Sequence, residues 1–235
     1  MCTYRKDSGK KITMLNQNYS QSVLIDTQQL EWESSPASHV WRKKLEREAS
    51  ESGKATSLVR YDEGAAFSTH THPAGEEIFV IKGTFSDESG DYPAGSYLRN
   101  PAKSRHAPYS ETGCELFVKL CYFSPGDTRS VRLNTNIAGW QQGMNSAQKV
   151  LPLHHFDEEI TQLVELDEGA SWHPVIPENG FEALVLSGEL SEQDTKIPAM
   201  SWLRRPTGND PRFTVSKGPV KILLKTGHLP QKDRQ

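Results

Sequence analysis

Three cysteines in 235 residues, Cys2, Cys114 and Cys121, are too few for a disulfide framework, and no two of them form a C-x-x-C pair. That favours a reducing compartment, with the cytoplasm as the expected location. No apolar run is long enough to span a bilayer as a helix. The basic residues Lys6, Lys10 and Lys11 are not followed by the apolar core of a secretory signal. An excess of one charge is missing as well. The formal net charge is −3, acidic and basic residues are mixed along the chain, and no basic stripe marks a nucleic-acid surface. Neither a membrane nor a nucleic acid is therefore an expected partner. With 35% hydrophobic and 24% charged residues, the chain is expected to fold rather than stay disordered.

What is present is a succession of short apolar runs separated by Gly, Pro, Asp and Ser. Ala65–Phe67, Ile78–Ile81, Tyr97–Leu98 and Leu116–Tyr122 are the clearest. Many short strands at such spacing predict an all-β sandwich or barrel. Residues 1–20 are polar and read as a flexible lead-in. Val23–Asp26 reads as a short strand. Val40–Glu48 and Thr56–Tyr61, joined by the turn residues Ser50-Glu51-Ser52-Gly53, predict a β-hairpin.

The chain also repeats itself. A shift of 105 residues lays Thr56–Pro101 on Thr161–Pro206 without a gap, with 18 identities in 46 positions, where average composition gives about three by chance. Leu58, Val59, Asp62, Glu63, Gly64 and Ala65 return as Leu163, Val164, Asp167, Glu168, Gly169 and Ala170. Gly83, Pro93, Arg99 and Pro101 return as Gly188, Pro198, Arg204 and Pro206. Two copies of one β domain follow, with residues 21–126 expected as the first and 127–235 as the second.

The first copy carries Gly64-x5-His70-x-His72-x3-Glu76-x6-Gly83, with His106 further along. Histidines at i and i+2 on a strand share a face, and Pro73-Ala74-Gly75 provides a turn that returns the chain with Glu76 beside them. On the repeat register, His70, His72, Glu76 and His106 become Val175, Pro177, Phe181 and Pro211. All four ligand-type residues are lost together while the glycines and apolar positions persist. What both copies keep is scaffold, and what only the first has is chemistry. Three imidazoles and a carboxylate, with no thiolate, suit one divalent ion: Zn or Fe(II), with Mn or Ni also open. By the same comparison Glu77, kept as Glu182, and Arg99, kept as Arg204, are expected to be structural.

The Gly64–Gly83 motif is similar to the first signature of the cupin superfamily, every spacing satisfied. Gly95-x5-Pro101 followed by His106 resembles the second signature, with Lys103 where glycine is usual and Ser110 where asparagine is usual. More narrowly, His70-Thr-His72-Pro-Ala-Gly75-Glu76-Glu77, the run Gly90–Pro101 and Ser104-Arg-His-Ala-Pro108 resemble the ChrR-like cupins. The resemblance implies tandem double-stranded β-helix (jelly-roll) barrels, a bicupin. It implies a metal held by His70, His72, Glu76 and His106 inside the first barrel and a degenerate second barrel.

That group includes zinc-binding anti-sigma factors and small non-haem iron dioxygenases acting on diketones. The sigma-binding module with its own histidines and cysteines has no counterpart before His39, so a sigma factor is not an expected partner. The iron dioxygenases use three histidines, so Glu76 departs from their pattern. Three expectations stand side by side: a metal-dependent oxygenase-like enzyme taking a small carbonyl compound in the first barrel, a zinc-dependent sensing module, and a structural bicupin. Outward-facing Phe79 and Ile81, with Leu184 and Leu186 in the second copy, are expected to be covered between the barrels or between subunits, which leaves room for a homodimer.

Overall fold

The computed structural model describes residues 14–49, 52–175, 179–208 and 210–230. Cys2, Pro177 and residues 1–13 of the expected lead-in lie outside the described residues. The described fold is all-β. Its one helical element is a 3-10 turn at Thr27–Gln29, and among the described residues no helix is long and apolar enough to cross a membrane. Two compact units divide the chain. One comprises residues 31–137 with those before Asn18, the other residues 18–30 with 138–235.

In the first unit the principal sheet runs in the order Val131–Asn134, Ser96–Asn100, Glu76–Asp87, Cys114–Leu120, Ala55–Tyr61, Val40–Arg47, Glu33–Ser34. In the second it runs Val23–Asp26, Ser201–Arg205, Phe181–Glu192, Phe213–Thr226, Glu159–Leu166, Gln148–Phe156, Gln141–Gln142. The two orders are the same. The long strand Glu76–Asp87 falls on Phe181–Glu192, and Ser96–Asn100 on Ser201–Arg205, under the 105-residue shift. These are jelly-roll barrels whose principal sheets stay open at their edges. The predicted hairpin forms, with Val40–Arg47 antiparallel to Ala55–Tyr61 and a bulge between Lys44 and Glu46.

The expected domain boundaries need two corrections. Val23–Asp26 does not join the first barrel. It pairs with Ser201–Arg204 in the second, and Val131–Asn134, expected in the second, pairs with Ser96–Arg99 in the first. The physical reason is that each barrel has an edge strand whose backbone donors and acceptors need a partner. The two covering segments match in sequence, Val23-Leu-Ile-Asp-Thr27 and Val131-Arg-Leu-Asn-Thr135. They anchor alike. Thr27 Oγ1 donates to Met200 O at 2.6 Å, and Thr135 Oγ1 donates to Gly95 O at 2.6 Å. Thus each repeat begins with a strand that completes the other repeat's sheet. The lead-in expectation also changes. Leu15 exchanges both backbone hydrogen bonds with Arg47, and Asn16 Nδ2 donates to Leu45 O at 2.6 Å.

The interiors differ. In the second barrel Trp172, Phe181, Leu190, Phe213 and Ile222 are all at most 3% exposed and form one apolar core. Trp172 lies 5.3 Å from Phe213 and 6.4 Å from Phe181, ring centre to ring centre. The first barrel has a core of Ile78, Val80, Phe85, Leu98 and Leu116, but Glu76 stands where Phe181 stands. Glu77 and Arg99 are structural as expected: Arg99 is fully buried and donates to Glu77 at 3.0 Å and to Asp127 at 2.6 Å. Glu182 accepts from Trp202 Nε1 at 2.9 Å.

Gly64 and Gly83 both have φ +72, but their surroundings differ. A Cβ on Gly64 would meet nothing within 4 Å, whereas one on Gly83 would lie 2.1 Å from Gly113 O, a backbone atom. Gly64→Ala is therefore expected to cost only the left-handed backbone penalty, about 1–2 kcal/mol. Gly83→Ala is expected to cost at least about 2 kcal/mol more, because a packed backbone carbonyl must move. Urea denaturation of the two variants compares them directly, and equal losses would contradict the packing described.

Candidate metal centre

Four side chains converge in the first barrel, from two short paired strands, the residue after the first of them and the start of the long strand. His70–Thr71 pairs antiparallel with Arg105–His106, which sets His106 directly opposite His70. His72 follows at once. Its N–H donates to Ser104 O at 2.9 Å and its carbonyl accepts from Lys103 N at 2.8 Å. Lys103, standing where the cupin signature has glycine, takes φ +72. That is a left-handed conformation glycine adopts without strain, so the departure keeps the turn and leaves His106 in place. Ser110, at the asparagine position, donates from Oγ to Thr84 O at 2.5 Å. After Gly75 turns the chain at φ +84, Glu76 opens the long strand.

One candidate ligand atom from each of His70, His72, Glu76 and His106 lies within 4.8 Å of the others. The three imidazole centres form a nearly equilateral triangle with sides of 4.9, 4.9 and 4.8 Å. Glu76 Oε2 sits 3.4 Å from His72 Nε2 and 3.5 Å from His106 Nε2. His72, Glu76 and His106 are buried and His70 partly so.

The partners behind the rings fix which nitrogen faces inward. His106 Nδ1 lies 3.3 Å from Asp87 Oδ2, and a carboxylate only accepts, so Nδ1 carries the proton and Nε2 keeps its lone pair. His70 Nδ1 is likewise 3.1 Å from the Ser68 carbonyl. The Nε2 atoms of His72 and His106 are buried without any hydrogen-bond partner. Buried polar atoms are rarely left so. Unpartnered imidazole nitrogens around a shared centre, beside a carboxylate oxygen, fit a divalent cation.

Electrostatics agree. Burial, with His106 and His70 nearby, holds His72 below its ordinary range despite the opposing pull of Glu76, which keeps the ring neutral and able to ligate. For Asp87, burial pushes the carboxyl up. The hydrogen bonds from His106 and the Ser89 N–H, with Arg132 nearby, outweigh it, and the acid stays below the usual range. Glu76 Oε2 also accepts from Asn100 Nδ2 at 2.9 Å. Asp87, Asn100, Tyr92 and Arg132 are supporting residues that sequence reasoning missed. The first three change between the copies, to Glu192, Arg205 and Ile197, but so do most surface positions, and the repeat alone does not single them out.

Beside the ligands lies a cavity of about 360 Å³. Its walls include Val59, Phe67, Ile78, Leu116 and Val118, with Ser57, Tyr61, Arg42 and Arg47 as polar groups. Burial and the charge of Glu76 raise the Tyr61 phenol well above its usual range, so it stays protonated and able to donate. Cys114 and Cys121 are not bridged to each other by a disulfide. Burial pushes Cys114 up to about 11, which suppresses its thiolate. In the second barrel Val175 is 72% exposed, while Phe181 and Pro211 are buried. His173 and His155 are exposed.

Residues 20–124 match the family model of the ChrR Cupin-like domain. Solved structures share the fold over most of the chain. A candidate dioxygenase from Nostoc punctiforme is 17% identical with a TM-score of 0.74, over 91% of this chain and 85% of that one. The bacterial pirin of Escherichia coli in complex with nickel(II) is 15% identical with a TM-score of 0.67, over 90% and 100%. An oxalate decarboxylase from Lactobacillus farciminis, as its formate complex, is 13% identical with a TM-score of 0.61, over 96% and 89%. At these identities the likeness is one of fold. No curated protein matches the sequence at a significant level.

His72 gives a pH test with a definite sign. Its folded pKa lies below the ordinary 6.5, so on acidification the unfolded chain takes up this proton first. The stability it contributes is complete above about 6.5 and is lost as pH falls through the folded value. The urea midpoint of the metal-free protein is therefore expected to fall between pH 7.5 and 5, and His72→Gln is expected to flatten that fall. A His72→Gln profile parallel to the wild type would contradict the buried neutral imidazole.

Proposed function

We propose that this chain, a ChrR-like cupin domain over residues 20–124 followed by a second cupin barrel, is a metal-dependent enzyme acting on a small carbonyl compound, with its site in the first barrel. One observation carries this reading: the cavity of about 360 Å³ that adjoins His70, His72 and Glu76. Its size falls within the range of small-molecule sites. At the positions equivalent to the cavity-lining Phe67, Glu76 and Pro108, the second barrel has Trp172, Phe181 and Phe213, each at most 3% exposed and part of one apolar core.

His70, His72, Glu76 and His106 would hold one divalent ion, which supplies Lewis-acid polarisation of a bound oxygen atom and, with a redox metal, access to oxygen chemistry. The chain's own groups do the rest. The apolar wall of Val59, Phe67, Ile78, Leu116 and Val118 excludes water and takes the carbon skeleton. Protonated Tyr61 is placed to donate a hydrogen bond, and the guanidinium groups of Arg42 and Arg47 favour substrates that carry or develop negative charge on oxygen, such as an enolate. The reaction class is an oxygen-dependent transformation of a β-dicarbonyl or related enolisable ketone.

A second reading, a zinc-dependent sensing module of the ChrR kind, is favoured by one feature. Glu76 Oε2 reaches within 3.4 and 3.5 Å of two imidazole nitrogens, so four donors converge, as many as tetrahedral zinc takes. The experiment that separates the readings is metal analysis of anaerobically purified protein, followed by oxygen uptake with β-diketones after loading with Fe(II). About one ion per chain and diketone-dependent uptake are expected, both lost in His106→Ala. One zinc per chain with no uptake after iron loading would sink the oxygenase reading and leave the sensing one.

A further inference from the structure

We infer that Arg132 is a positioning residue for the metal centre, closing a ring of contacts that orients two of the four ligands, Glu76 and His106. The inference rests on the ligand set proposed above. It brings in a residue eight positions beyond the matched cupin domain, on the strand that opens the second repeat.

The ring can be followed atom by atom. Arg132 Nη2 donates to Asn100 Oδ1 at 2.6 Å, and Asn100 Nδ2 donates to Glu76 Oε2 at 2.9 Å. In the other direction Arg132 Nε donates to Tyr92 Oη at 3.1 Å, and Tyr92 Oη donates to Asp87 Oδ1 at 3.2 Å. Asp87 Oδ2 accepts from His106 Nδ1 at 3.3 Å. The ring closes across the centre, where Glu76 Oε2 and His106 Nε2 stand 3.5 Å apart. Arg132 Nη1 is tied to the backbone, to Arg99 O at 3.0 Å and Val131 O at 2.8 Å. The guanidinium is therefore held on one edge and works on two branches with the others.

Only arginine meets this demand. A planar fork presents donors in fixed, divergent directions, whereas a lysine ammonium is a single point on a flexible stem. Asn100 serves as an adaptor: its carbonyl is engaged by Arg132, so its amide must point at Glu76. Fixing the carboxylate in this way matters because Glu76 is the ligand that makes the difference between a three-histidine and a four-donor set. The Asp87 branch does the equivalent for His106, setting its tautomer and ring plane.

The second barrel supplies the control. On the repeat registers Asn100, Tyr92, Asp87 and Arg132 correspond to Arg205, Ile197, Glu192 and Leu24. Every member of the ring has changed there, and Arg205 is instead paired with Glu192 at 2.6 Å. The barrel that lacks the ligands also lacks the ring. Because each repeat completes the other's sheet, the first barrel receives Arg132 from the leading strand of the second repeat.

The test uses the full chain, stripped of metal and titrated with Co(II), reading both affinity by chelator competition and the visible ligand-field bands. The wild type is expected to take up one Co(II). Arg132→Met is expected to weaken uptake about 10- to 100-fold and to alter the bands, and Arg132→Lys is expected not to restore either. Tyr92→Phe and Asn100→Ala, each cutting one branch, are expected to weaken uptake on their own. They provide the reading if Arg132→Met fails to fold. Tyr92→Phe is expected to add little in the Arg132→Met background, since that branch is already open. Wild-type affinity and bands in Arg132→Met, whatever its melting temperature, would overturn the positioning role, as would full rescue by lysine. A wild type that takes up no Co(II) would overturn the ligand set itself, and with it this inference.

Discussion

The first barrel is built around one constraint: two buried imidazole nitrogens, Nε2 of His72 and of His106, that have no hydrogen-bond partner. Leaving such groups unpaired costs about 1–3 kcal/mol each, and a carboxylate among them adds a desolvation cost of its own. The protein meets this by rigid support. His70 and His106 face each other in a two-stranded ladder, His72 is clasped by the 103–104 backbone, and Asp87 and Asn100 hold the ligands from behind. Such an arrangement is costly without a cation and stabilised with one.

The second barrel shows the alternative solution to the same fold. Phe181 replaces Glu76, Trp172 replaces Phe67 and Phe213 replaces Pro108 on the repeat register, and the interior becomes continuous apolar packing. Burying an aromatic side chain of this kind stabilises by about 1.5–3 kcal/mol, so the scaffold is served better by the filled barrel. The cavity and polar cluster of the first are thus a departure from the best packing, retained at one of two otherwise similar positions.

Much of this was legible in the sequence, because duplication gave each position an internal control. The apolar runs Ile78–Ile81 and Tyr97–Leu98 that lie inside the strands Glu76–Asp87 and Ser96–Asn100, the hairpin, the structural glycines and the four candidate ligands all follow from spacing and from comparing the copies. Two things did not. The placement of Val23–Asp26 and Val131–Asn134 depends on which open edge each strand covers, and local pattern carries no information about that choice. The match of Val23–Thr27 with Val131–Thr135 lies at a shift of 108, outside the ungapped 105-residue register. Arg132 was hidden for the same reason. Its contacts with Asn100 and Tyr92 arise only from long-range pairing, and as one exposed arginine in a connecting stretch it had no signature.

The central claim is that one barrel holds one metal through His70, His72, Glu76 and His106 while its twin holds none. Anomalous diffraction from crystals of the metal-loaded chain tests it most directly. The account predicts a single anomalous peak per chain, about 2.0–2.2 Å from the three imidazole nitrogens and a Glu76 oxygen, with no peak near Val175, Phe181 and Pro211. A peak elsewhere, a second peak in the second barrel, or no peak at full loading would contradict it.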